Sequence, residues 1–315
     1  MTQKRPIGTS GLEVTPLALG GNVFGWTADE DTSFSILDAF VDAGGTMIDT
    51  ADVYTAWIPG HSGGESETVI GNWLKRDPSR RDKVVIATKV GFLEGLAPDK
   101  IATACDASLA RLGIDRIDLY YQHKDDQNVP LADSLGAFEC LVDAGKIKAV
   151  GLSQFTAERL DEALETSRNL GFTAPAALQP WYNLVERAKY EDALRDVAVR
   201  HGLAVFPFYG LANGFLTGKY RTKEDLGKSV RGMRNVEYLE GRGMRVLAAL
   251  DEIAAETGAA LATVTLAWTM AQPTITAPIA SATSMPQLAE LLAAFQLTLT
   301  ADQIARLDAA SALRQ

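Results

Sequence analysis

The sequence contains few cysteines: only Cys105 and Cys140 occur among its 315 residues. Two cysteines do not provide the disulfide framework of a small secreted domain, and both lie in helical, apolar-rich segments. We therefore predict that both are reduced core residues of a cytoplasmic protein. A cluster of cysteines or histidines is also missing, since the chain has only three histidines, well separated in sequence. This argues against a catalytic metal, and none is expected.

Long apolar runs are absent as well. No stretch approaches the roughly 20 apolar residues that cross a bilayer, and residues 1–14 contain no apolar signal region. Acidic residues outnumber basic ones, since the chain has 40 Asp and Glu and 30 Lys and Arg, which gives a net charge of −10. This balance argues against nucleic acid or an anionic membrane as a partner, while it still allows a local basic site for a phosphate.

The remaining composition is that of an ordinary globular protein, with 47% hydrophobic and 22% charged residues. No linker divides the chain, so residues 1–315 are predicted to form one domain. A GxGxxG motif after the first predicted strand is missing, which disfavours the open, doubly wound sheet that is the alternative to a barrel.

The sequence does contain a regular alternation of short apolar strands and helices. A hairpin is predicted at residues 4–14, with its turn at 8–11. Strands are predicted at 17–19, 46–48, 83–89, 117–123, 149–152, 176–178, 203–206 and 274–279, and helices at 31–43, 65–74, 99–112, 131–144, 157–170, 187–200, 240–257, 260–271, 286–294 and 301–311. Eight such units predict an α/β fold, a (β/α)8 TIM barrel with an N-terminal β-hairpin and extra C-terminal helices.

Polar and aromatic side chains follow the predicted strands where each strand ends. The active site of a barrel forms at the carboxyl ends of its strands, so these side chains are expected to converge. In strand order they are Asp49 and Tyr54, Lys89, His123, Ser153 and Gln154, Gln179, Phe208, and Ser281. Each of them alone is compatible with an ordinary rim residue, but together they predict a site.

Four of these residues suggest a definite chemistry. A phenol has a pKa near 10, and a neighbouring cationic lysine is expected to lower the pKa of Tyr54. Asp49 would hold Lys89 in place and keep it charged. His123 would orient a substrate oxygen. The set predicts proton transfer at a carbonyl or alcohol oxygen and requires a redox partner.

Several motifs occur in a specific order and spacing: GTSGLEVTPLALGG, IDTADVY, GGESETVIG, VIATKVG, DLYYQH, VGLSQF, LQPWYNL and GFLTGKY. Together they resemble the aldo-keto reductase family over essentially the whole chain. The resemblance implies a barrel that binds a nicotinamide cofactor without a Rossmann domain. It also implies reversible hydride transfer between NAD(P)H and an aldehyde or ketone, with a small-molecule carbonyl as substrate.

The resemblance also implies residue roles. Tyr54 would be the general acid, tuned by Lys89 and Asp49, and His123 would orient the carbonyl. The implied cofactor contacts are Ser153, Gln154 and Gln179 on the nicotinamide amide, Phe208 on the nicotinamide ring, Leu216, Gly218 and Lys219 along the pyrophosphate, and Ser281, Thr283, Gln287 and Glu290 around the adenosine.

The chain departs from the family pattern at three places. Gln154 stands where the family usually has asparagine, and Phe208 stands where it usually has a tyrosine, so Tyr209 is an alternative stacking residue. Residues 280–288 contain no basic side chain, although a 2′-phosphate usually has a charged partner. NADP(H) is the family default, and this loop leaves NAD(H) open, since hydroxyls and helix N-terminal amides also bind phosphate.

Two further regions are assigned from the predicted loops. Phe24, Trp26 and Trp57 lie in loops at the predicted mouth, and at least two of them are expected to line a substrate pocket for aromatic or other hydrophobic carbonyls. The alternative is that they are scattered packing residues. The charged segment 219–242 is predicted to be either a lid over the cofactor pyrophosphate or a solvated mobile loop.

Two other functions compete with carbonyl reduction. One is a Schiff-base barrel lyase with Lys89 as nucleophile, which would require a lysine with a lowered pKa in an apolar pocket. The other is a non-catalytic, cofactor-sensing subunit with the same fold, as in aldo-keto reductase-like channel subunits. The physiological substrate, the direction of the reaction and the oligomeric state are left open.

Overall fold

The computed structural model describes residues 3–312. Its strands are β1 (Arg5–Pro6), β2 (Glu13–Val14), β3 (Ala18–Gly20), β4 (Met47–Asp49), β5 (Val85–Val90), β6 (Ile117–Gln122), β7 (Ile147–Ser153), β8 (Ala177–Gln179), β9 (Ala204–Val205) and β10 (Ile279–Ala280). Its α-helices are α1 (Glu30–Asp42), α2 (Glu65–Arg76), α3 (Pro98–Leu112), α4 (Leu131–Asp143), α5 (Ala157–Leu170), α6 (Ala193–Arg200), α7 (Arg242–Thr257), α8 (Leu261–Ala271), α9 (Met285–Ala293) and α10 (Ala301–Ser311).

The strands β3 to β10 form one eight-stranded parallel sheet in the order β10-β3-β4-β5-β6-β7-β8-β9. The two ends of this sheet meet through backbone hydrogen bonds. Thr276 N donates to Val205 O over 2.9 Å, and Ile279 N donates to Pro207 O over 2.8 Å. The prediction of a (β/α)8 barrel is therefore confirmed, as is the separate hairpin of β1 and β2.

The barrel interior is filled largely by small side chains, so the strands can curl tightly around a few large ones. The alanines at 18, 87, 149, 177 and 204 share this cluster with Tyr121 and Phe206. Gly151 lies against the Tyr121 ring, where a Cβ atom would be only 2.4 Å from the ring. Ile7 and Val14 of the hairpin complete the cluster beside Met47 and Val85 at the strand starts. The hairpin thus closes the amino end of the barrel and leaves the carboxyl end for a site.

Two predicted elements differ from the structure. The helix predicted at 187–200 is interrupted, because a 3-10 turn at Arg187–Lys189 precedes α6. Tyr190 leaves helical geometry there and packs its ring against Tyr182, so tertiary packing overrides the local helical pattern. The strand predicted at 274–279 begins only at Ile279, as β10, and includes Ala280; Pro278 lacks the N–H that would extend the ladder toward residue 274.

The segment 219–242 is folded rather than irregular. It contains 3-10 helices at Lys223–Lys228 and Gly232–Leu239, and Thr222 begins the first of them with a capping box. Tyr238 is buried and donates a hydrogen bond to Glu186 over 2.8 Å. This contact anchors the segment to the loop after β8, and whether the segment covers a bound cofactor stays a prediction.

The two cysteines lie in different environments. Cys105 is buried, as predicted, but Cys140 is exposed, so the prediction that both are core residues is wrong for Cys140. Both are free thiols. Cys140 occupies the solvent side of α4, whose buried face carries Leu135, Phe138 and Leu141. Within residues 3–312, none of the helices is both long enough and apolar enough to cross a membrane.

Candidate active site

Lys89 is the centre of the site at the carboxyl end of the barrel. Its ammonium Nζ donates to Asp49 Oδ2 over 2.7 Å, to the Thr50 carbonyl over 2.6 Å and to Tyr54 Oη over 3.0 Å. The side chains of Lys89 and Asp49 are only 1% and 2% exposed. The ion pair connects the neighbouring strands β4 and β5, and it orients the phenol at the open end of the barrel.

A strained turn brings Tyr54 to Lys89. Thr55 has a φ of +73°, which is a left-handed conformation that a β-branched residue rarely adopts. Its hydroxyl donates to Glu65 Oε2 over 2.6 Å, and this bond to the start of α2 helps to offset the cost of the turn. The turn therefore presents the phenol to the mouth instead of continuing along β4.

The electrostatics of Tyr54 differ from the sequence-based expectation. Burial raises the pKa of the phenol well above its usual value, and the Asp49 carboxylate acts in the same direction. Burial lowers the pKa of Lys89, while the contact with Asp49 opposes that change. Burial is the largest of these effects, so the expected lowering of the phenol pKa is not the net effect. The phenol of Tyr54 therefore keeps its proton at neutral pH.

His123 follows β6 and lies beside the phenol. Its backbone N–H donates to the Val90 carbonyl over 2.8 Å, and its ring lies 6.0 Å from the Tyr54 ring and 4.9 Å from the Phe92 ring, measured between centroids. Burial lowers the pKa of His123 well below its usual value, and the positive charge of Lys89 adds to this. The imidazole is therefore neutral, and its buried Nδ1 has no hydrogen-bond partner among residues 3–312.

The three predicted nicotinamide residues line the same mouth. Gln179 Nε2 donates to Asp49 Oδ1 over 2.9 Å, and Ser153 Oγ donates to the Gln179 carbonyl over 2.9 Å. Gln154 has a φ of +56°, and its Nε2 donates to the His123 carbonyl over 2.9 Å. These bonds connect β7 and β8 to the ion pair, so three amide or hydroxyl side chains surround one opening.

Aromatic rings cover the next part of the mouth. Phe208 is partly exposed, and its ring lies 5.0 Å from Tyr209 and 6.2 Å from Trp181. Tyr209 has a φ of +56°, which turns the chain away from β9 directly after Phe208. Both rings reach the surface, so Phe208 and Tyr209 both remain candidates for stacking on a nicotinamide ring.

The residues predicted for the pyrophosphate lie in the turn after β9. Leu216 is buried, Gly218 has a φ of +78°, and Lys219 is exposed with its ammonium 5.0 Å from the centre of the Tyr220 ring. The turn contains a run of left-handed residues at 212, 213 and 214. The side-chain oxygen of Asn213 is buried there without a hydrogen-bond partner in the described chain.

The residues predicted for the adenosine lie around the start of α9. Ser281 Oγ donates to Asn22 Oδ1 over 2.9 Å, which connects the ends of β10 and β3. Thr283 donates through its N–H and its hydroxyl to Gln287 Oε1, and the side chain of Glu290 points to solvent. Between residues 3 and 312, no Lys or Arg donates a hydrogen bond to these side chains.

The three aromatic residues predicted for the substrate pocket do not stay together. Phe24 is completely buried in the hydrophobic cluster between the barrel and its outer helices. Trp26 and Trp57 contact each other edge to face at 5.8 Å, and Trp57 lies 6.2 Å from Tyr54. Trp26 and Trp57 are thus the members of the set that form an accessible wall next to the phenol.

An acidic network behind Lys89 was not predicted from the sequence. Glu67 is completely buried, accepts from Thr88 Oγ1 and pairs with Arg111 over 2.7 Å. Asp52 donates its backbone N–H to the Lys89 carbonyl over 3.2 Å, and its Oδ1 is buried with no partner within the described range. Burial and the Glu67 carboxylate raise the pKa of Asp52 to about 7. The motif GGESETVIG contains Glu67, but only the fold shows its burial.

Replacing Asp52 by asparagine is expected to remove a loss of stability that the wild type suffers as the pH rises from about 4 to about 7. The folded protein holds the Asp52 proton up to a pKa of about 7, against 3.8 for an ordinary aspartate, so stability falls as pH rises between these values. The Asp52→Asn variant avoids this loss. Its free energy of unfolding, relative to that of the wild type, should therefore rise by about 1–3 kcal/mol from pH 5 to pH 8. Chemical denaturation at both pH values measures it. The Asp82→Asn variant, at an exposed aspartate, is the control. If Asp52→Asn changed the free energy of unfolding by the same amount at both pH values, the raised pKa of Asp52 would be contradicted.

The arrangement as a whole can donate a proton and hold an oxygen. A neutral phenol and a neutral imidazole lie at one opening, and a buried ion pair fixes the phenol. A carbonyl oxygen that gains electron density is stabilised by such donors, because they are oriented before the reaction begins.

Known proteins resemble the chain over nearly its full length. A model of the Aldo/keto reductase family matches residues 16–312. An uncharacterized oxidoreductase, YrpG, of Bacillus subtilis is 34% identical over 93% of this chain and 91% of its own length. A probable voltage-gated potassium channel subunit beta of Arabidopsis thaliana is 30% identical over 91% of this chain and 89% of its own. The L-glyceraldehyde 3-phosphate reductase of Escherichia coli K12 is 30% identical over 97% of this chain and 91% of its own.

Proposed function

The chain belongs to the aldo/keto reductase family, a family of oxidoreductases, and on that basis we propose that it transfers a hydride reversibly between NAD(P)H and the carbonyl carbon of an aldehyde or ketone. The observation that carries the proposal is the contact of Lys89 with both Asp49 and Tyr54 at the open end of the barrel. The substrate is a small-molecule carbonyl, and the protein acts in the cytoplasm without a nucleic-acid or membrane partner.

Each member of the site has one task in this proposal. Tyr54 gives its proton to the carbonyl oxygen in reduction and takes it back in oxidation. Lys89 donates to the phenol oxygen, so it stabilises the phenolate that forms when the proton leaves. Asp49 keeps Lys89 in place, and neutral His123 holds the carbonyl oxygen by a hydrogen bond. The bound nicotinamide supplies or accepts the hydride.

The residues around the mouth fit a nicotinamide cofactor. Ser153, Gln154 and Gln179 provide hydroxyl and amide groups for the carboxamide, and Phe208 or Tyr209 provides an aromatic face. A left-handed turn at residues 212–214 leads to Leu216, Gly218 and Lys219. We assign that turn and Lys219 to the pyrophosphate, with segment 219–242 as its cover. The adenosine is assigned to Ser281, Thr283, Gln287 and Glu290.

The choice between the two nicotinamide cofactors depends on residues 280–288. A guanidinium in this loop would give the 2′-phosphate a charge-assisted partner that the natural loop lacks. Thr283→Arg is therefore expected to raise the ratio of kcat/KM for NADPH to that for NADH by about 10-fold or more. Steady-state kinetics with each cofactor measures the ratio. Thr283→Gln serves as the uncharged control, and an equal rise in both variants would contradict the assignment.

The proposal is tested by reduction of p-nitrobenzaldehyde with NADPH and with NADH in parallel. We expect oxidation of at least one cofactor that depends on the aldehyde. If a cofactor binds, as judged by quenching of tryptophan fluorescence, but no aldehyde or ketone in a broad panel is reduced, the proposal is wrong. The channel-subunit name of the Arabidopsis relative then favours a second function, in which the chain senses a cofactor without turnover.

A Schiff-base lyase is the remaining alternative. The lowered pKa of Lys89 would suit a nucleophilic amine, but the ammonium is bonded to Asp49, Thr50 and Tyr54 and has almost no exposed surface. These contacts disfavour attack on a carbonyl carbon. Incubation with aldehyde and borohydride distinguishes a Schiff-base lyase from a reductase, because only the lyase would retain a covalent adduct on Lys89.

A further inference from the structure

The first turn of helix α2 carries three polar side chains in succession, at residues 65–67. Each of them is hydrogen-bonded to a different threonine: Glu65 to Thr55 at 2.6 Å, Ser66 to Thr50 at 2.8 Å and Glu67 to Thr88 at 2.5 Å. The three threonines are completely buried, as are Ser66 and Glu67. Buried polar groups are tolerated in a fold when they are paired, so these bonds fix the side chains that form them.

Each threonine is the chain neighbour of one member of the Lys89 contact network. Thr50 follows Asp49, Thr55 follows Tyr54, and Thr88 precedes Lys89. Asp49 and Lys89 lie in strands, where successive side chains point to opposite faces. A bond that holds a threonine on the outer face therefore also fixes the direction of its neighbour. The first turn of α2 thus reaches all three members of the network through one intervening residue each.

Ser66 joins the ends of two neighbouring strands. Its hydroxyl donates to the carbonyl of Gly21, after β3, over 2.8 Å. Because a hydroxyl has only one proton, Thr50 is then the donor in the bond to Ser66. A Cβ atom at Gly21 would lie 2.8 Å from Ser66 Oγ, so this close approach requires glycine. The carbonyl of the same Thr50 accepts from Lys89 Nζ, and Ser66 therefore fixes one of the acceptors of the ammonium.

Glu65 supports the strained turn that carries the phenol. One of its carboxylate oxygens accepts from the Thr55 hydroxyl, and the other accepts from the Ser62 N–H over 2.9 Å. The carboxylate thus closes the loop between Thr55 and α2 at both of its ends. Without Glu65, the left-handed Thr55 would lose the bond that offsets its strain. The turn would then relax and carry Tyr54 with it.

Glu67 connects the turn to β5. One carboxylate oxygen accepts from Thr88, and the other accepts from Arg111 Nε of α3 over 2.7 Å. Both oxygens of this buried carboxylate are paired, so Glu67 is itself held in place from two sides. The strand segment that carries Lys89 is thereby fixed to two helices of the outer layer.

We propose that the first turn of α2, residues 65–67, positions the active site by holding the three threonines, and thereby keeps the Tyr54 oxygen within hydrogen-bond distance of Lys89. Its side chains are positioning residues, because they act on the site through their neighbours. This inference rests on the proposed function, since the geometry that is held is that of proton transfer from Tyr54. It adds residues behind the mouth that the substrate and the cofactor would not contact.

The test replaces Thr55 by valine, which keeps the shape of the side chain and removes its hydroxyl. We expect kcat for p-nitrobenzaldehyde to fall by about 10-fold to 10²-fold, since a displacement of about 1 Å costs that much. Quenching of tryptophan fluorescence by the cofactor should match the wild type. Thr55→Ser keeps the hydroxyl and should retain most of kcat. Unchanged kcat in Thr55→Val would overturn the proposal.

The matched control is Thr269→Val. Thr269 is also completely buried, and its hydroxyl donates to the Thr265 carbonyl within α8 over 3.0 Å. This variant should lower the melting temperature but leave kcat unchanged. If Thr269→Val lowered kcat as much as Thr55→Val does, the loss would reflect general destabilisation and the proposal would be wrong.

A second variant removes the same bond from its other side. Glu65 is only partly buried, so Glu65→Ala is expected to fold, and it should also lower kcat. Because both changes remove one bond, the double variant with Thr55→Val should lose no more activity than Glu65→Ala alone. Losses that multiply in the double variant would show that the two residues act independently, which contradicts the proposal.

Crystal structures of the wild type and Thr55→Val test the positioning without turnover. The distance from Tyr54 Oη to Lys89 Nζ is 3.0 Å, and in the variant it should be longer by about 1 Å or more. An unchanged distance would overturn the positioning role. A displaced phenol in a protein whose wild type reduces no aldehyde would support that role and overturn only the proposed reaction.

Discussion

Replacing Tyr54 by phenylalanine is expected to lower kcat for aldehyde reduction by about 10² to 10⁴-fold, the usual contribution of a positioned proton donor. The ring keeps its place against Trp57 and His123, so the change removes the donor and little else. The alkoxide that forms at the carbonyl would then have only neutral His123 as a hydrogen-bond partner. Steady-state kinetics with p-nitrobenzaldehyde measures the loss.

The expected loss should appear in kcat and not in cofactor affinity. Tyr54 contacts Lys89 and the tryptophan wall, and no contact with the predicted pyrophosphate or adenosine residues is found within residues 3–312. Quenching of tryptophan fluorescence by the cofactor should therefore match that of the wild type. His123→Phe serves as a comparison that removes a neighbouring ring nitrogen while the phenol stays. Near-normal kcat in Tyr54→Phe would assign the proton to another group.

Replacing Lys89 by methionine is expected to damage both stability and activity. Removal of one partner of a buried ion pair leaves the other uncompensated and typically costs about 3–5 kcal/mol. Asp49 would remain with its bond from Gln179 but without the ammonium, so it would take up a proton or destabilise the fold. Tyr54 would lose the donor that stabilises its phenolate, and kcat should fall by about 10²-fold or more. Urea denaturation and steady-state kinetics measure the two effects.

A double variant separates the two effects of Lys89. Asp49→Asn together with Lys89→Met removes both charges, and the asparagine can still accept the hydrogen bond from Gln179. Replacing a whole buried pair is often close to neutral, so most of the lost stability should return. Activity should stay low, because the phenol still lacks its charged donor. If activity returned together with stability, Lys89 would be a purely structural residue.

The sequence predicted the barrel because its signals are local and repeat. Strands of apolar residues alternate with helices of regular period, and the closing residue of many helices is glycine, as at Gly113 and Gly171. Predictions based on one local pattern failed where packing decided the outcome. The helical pattern at 187–200 did not show that Tyr190 would pack on Tyr182 and break the helix.

The site was predictable to the extent that strand ends define it. Asp49, Tyr54, Lys89 and His123 were expected at one mouth because parallel strands end at the same side, and the structure brings them into one contact network. Their chemical roles are part of the proposal. The direction of the pKa shift of the phenol was not predictable. It depends on the burial of Tyr54 and on its distance to Asp49, and the local sequence determines neither of them.

Contacts between segments that are distant in sequence also could not be predicted. Asn22 bonds to Ser281 across 259 positions, and nothing in the loop after β3 marks it as a partner. Phe24 and Trp26 are two residues apart and equally aromatic, yet the first enters the core and the second faces the mouth. The charge of segment 219–242 was visible, but only the fold shows that Arg231 covers Trp26.

Transfer of deuterium from the cofactor to the aldehyde tests the central claim most directly. NADPH or NADH that carries deuterium on the transferable position of nicotinamide C4 is incubated with p-nitrobenzaldehyde in ordinary water, and the product alcohol is analysed by NMR. We predict one deuterium on the carbinol carbon for each cofactor oxidised, with the same label at a far lower rate in Tyr54→Phe. An alcohol without deuterium, or cofactor oxidation without alcohol, would contradict direct hydride transfer at this site.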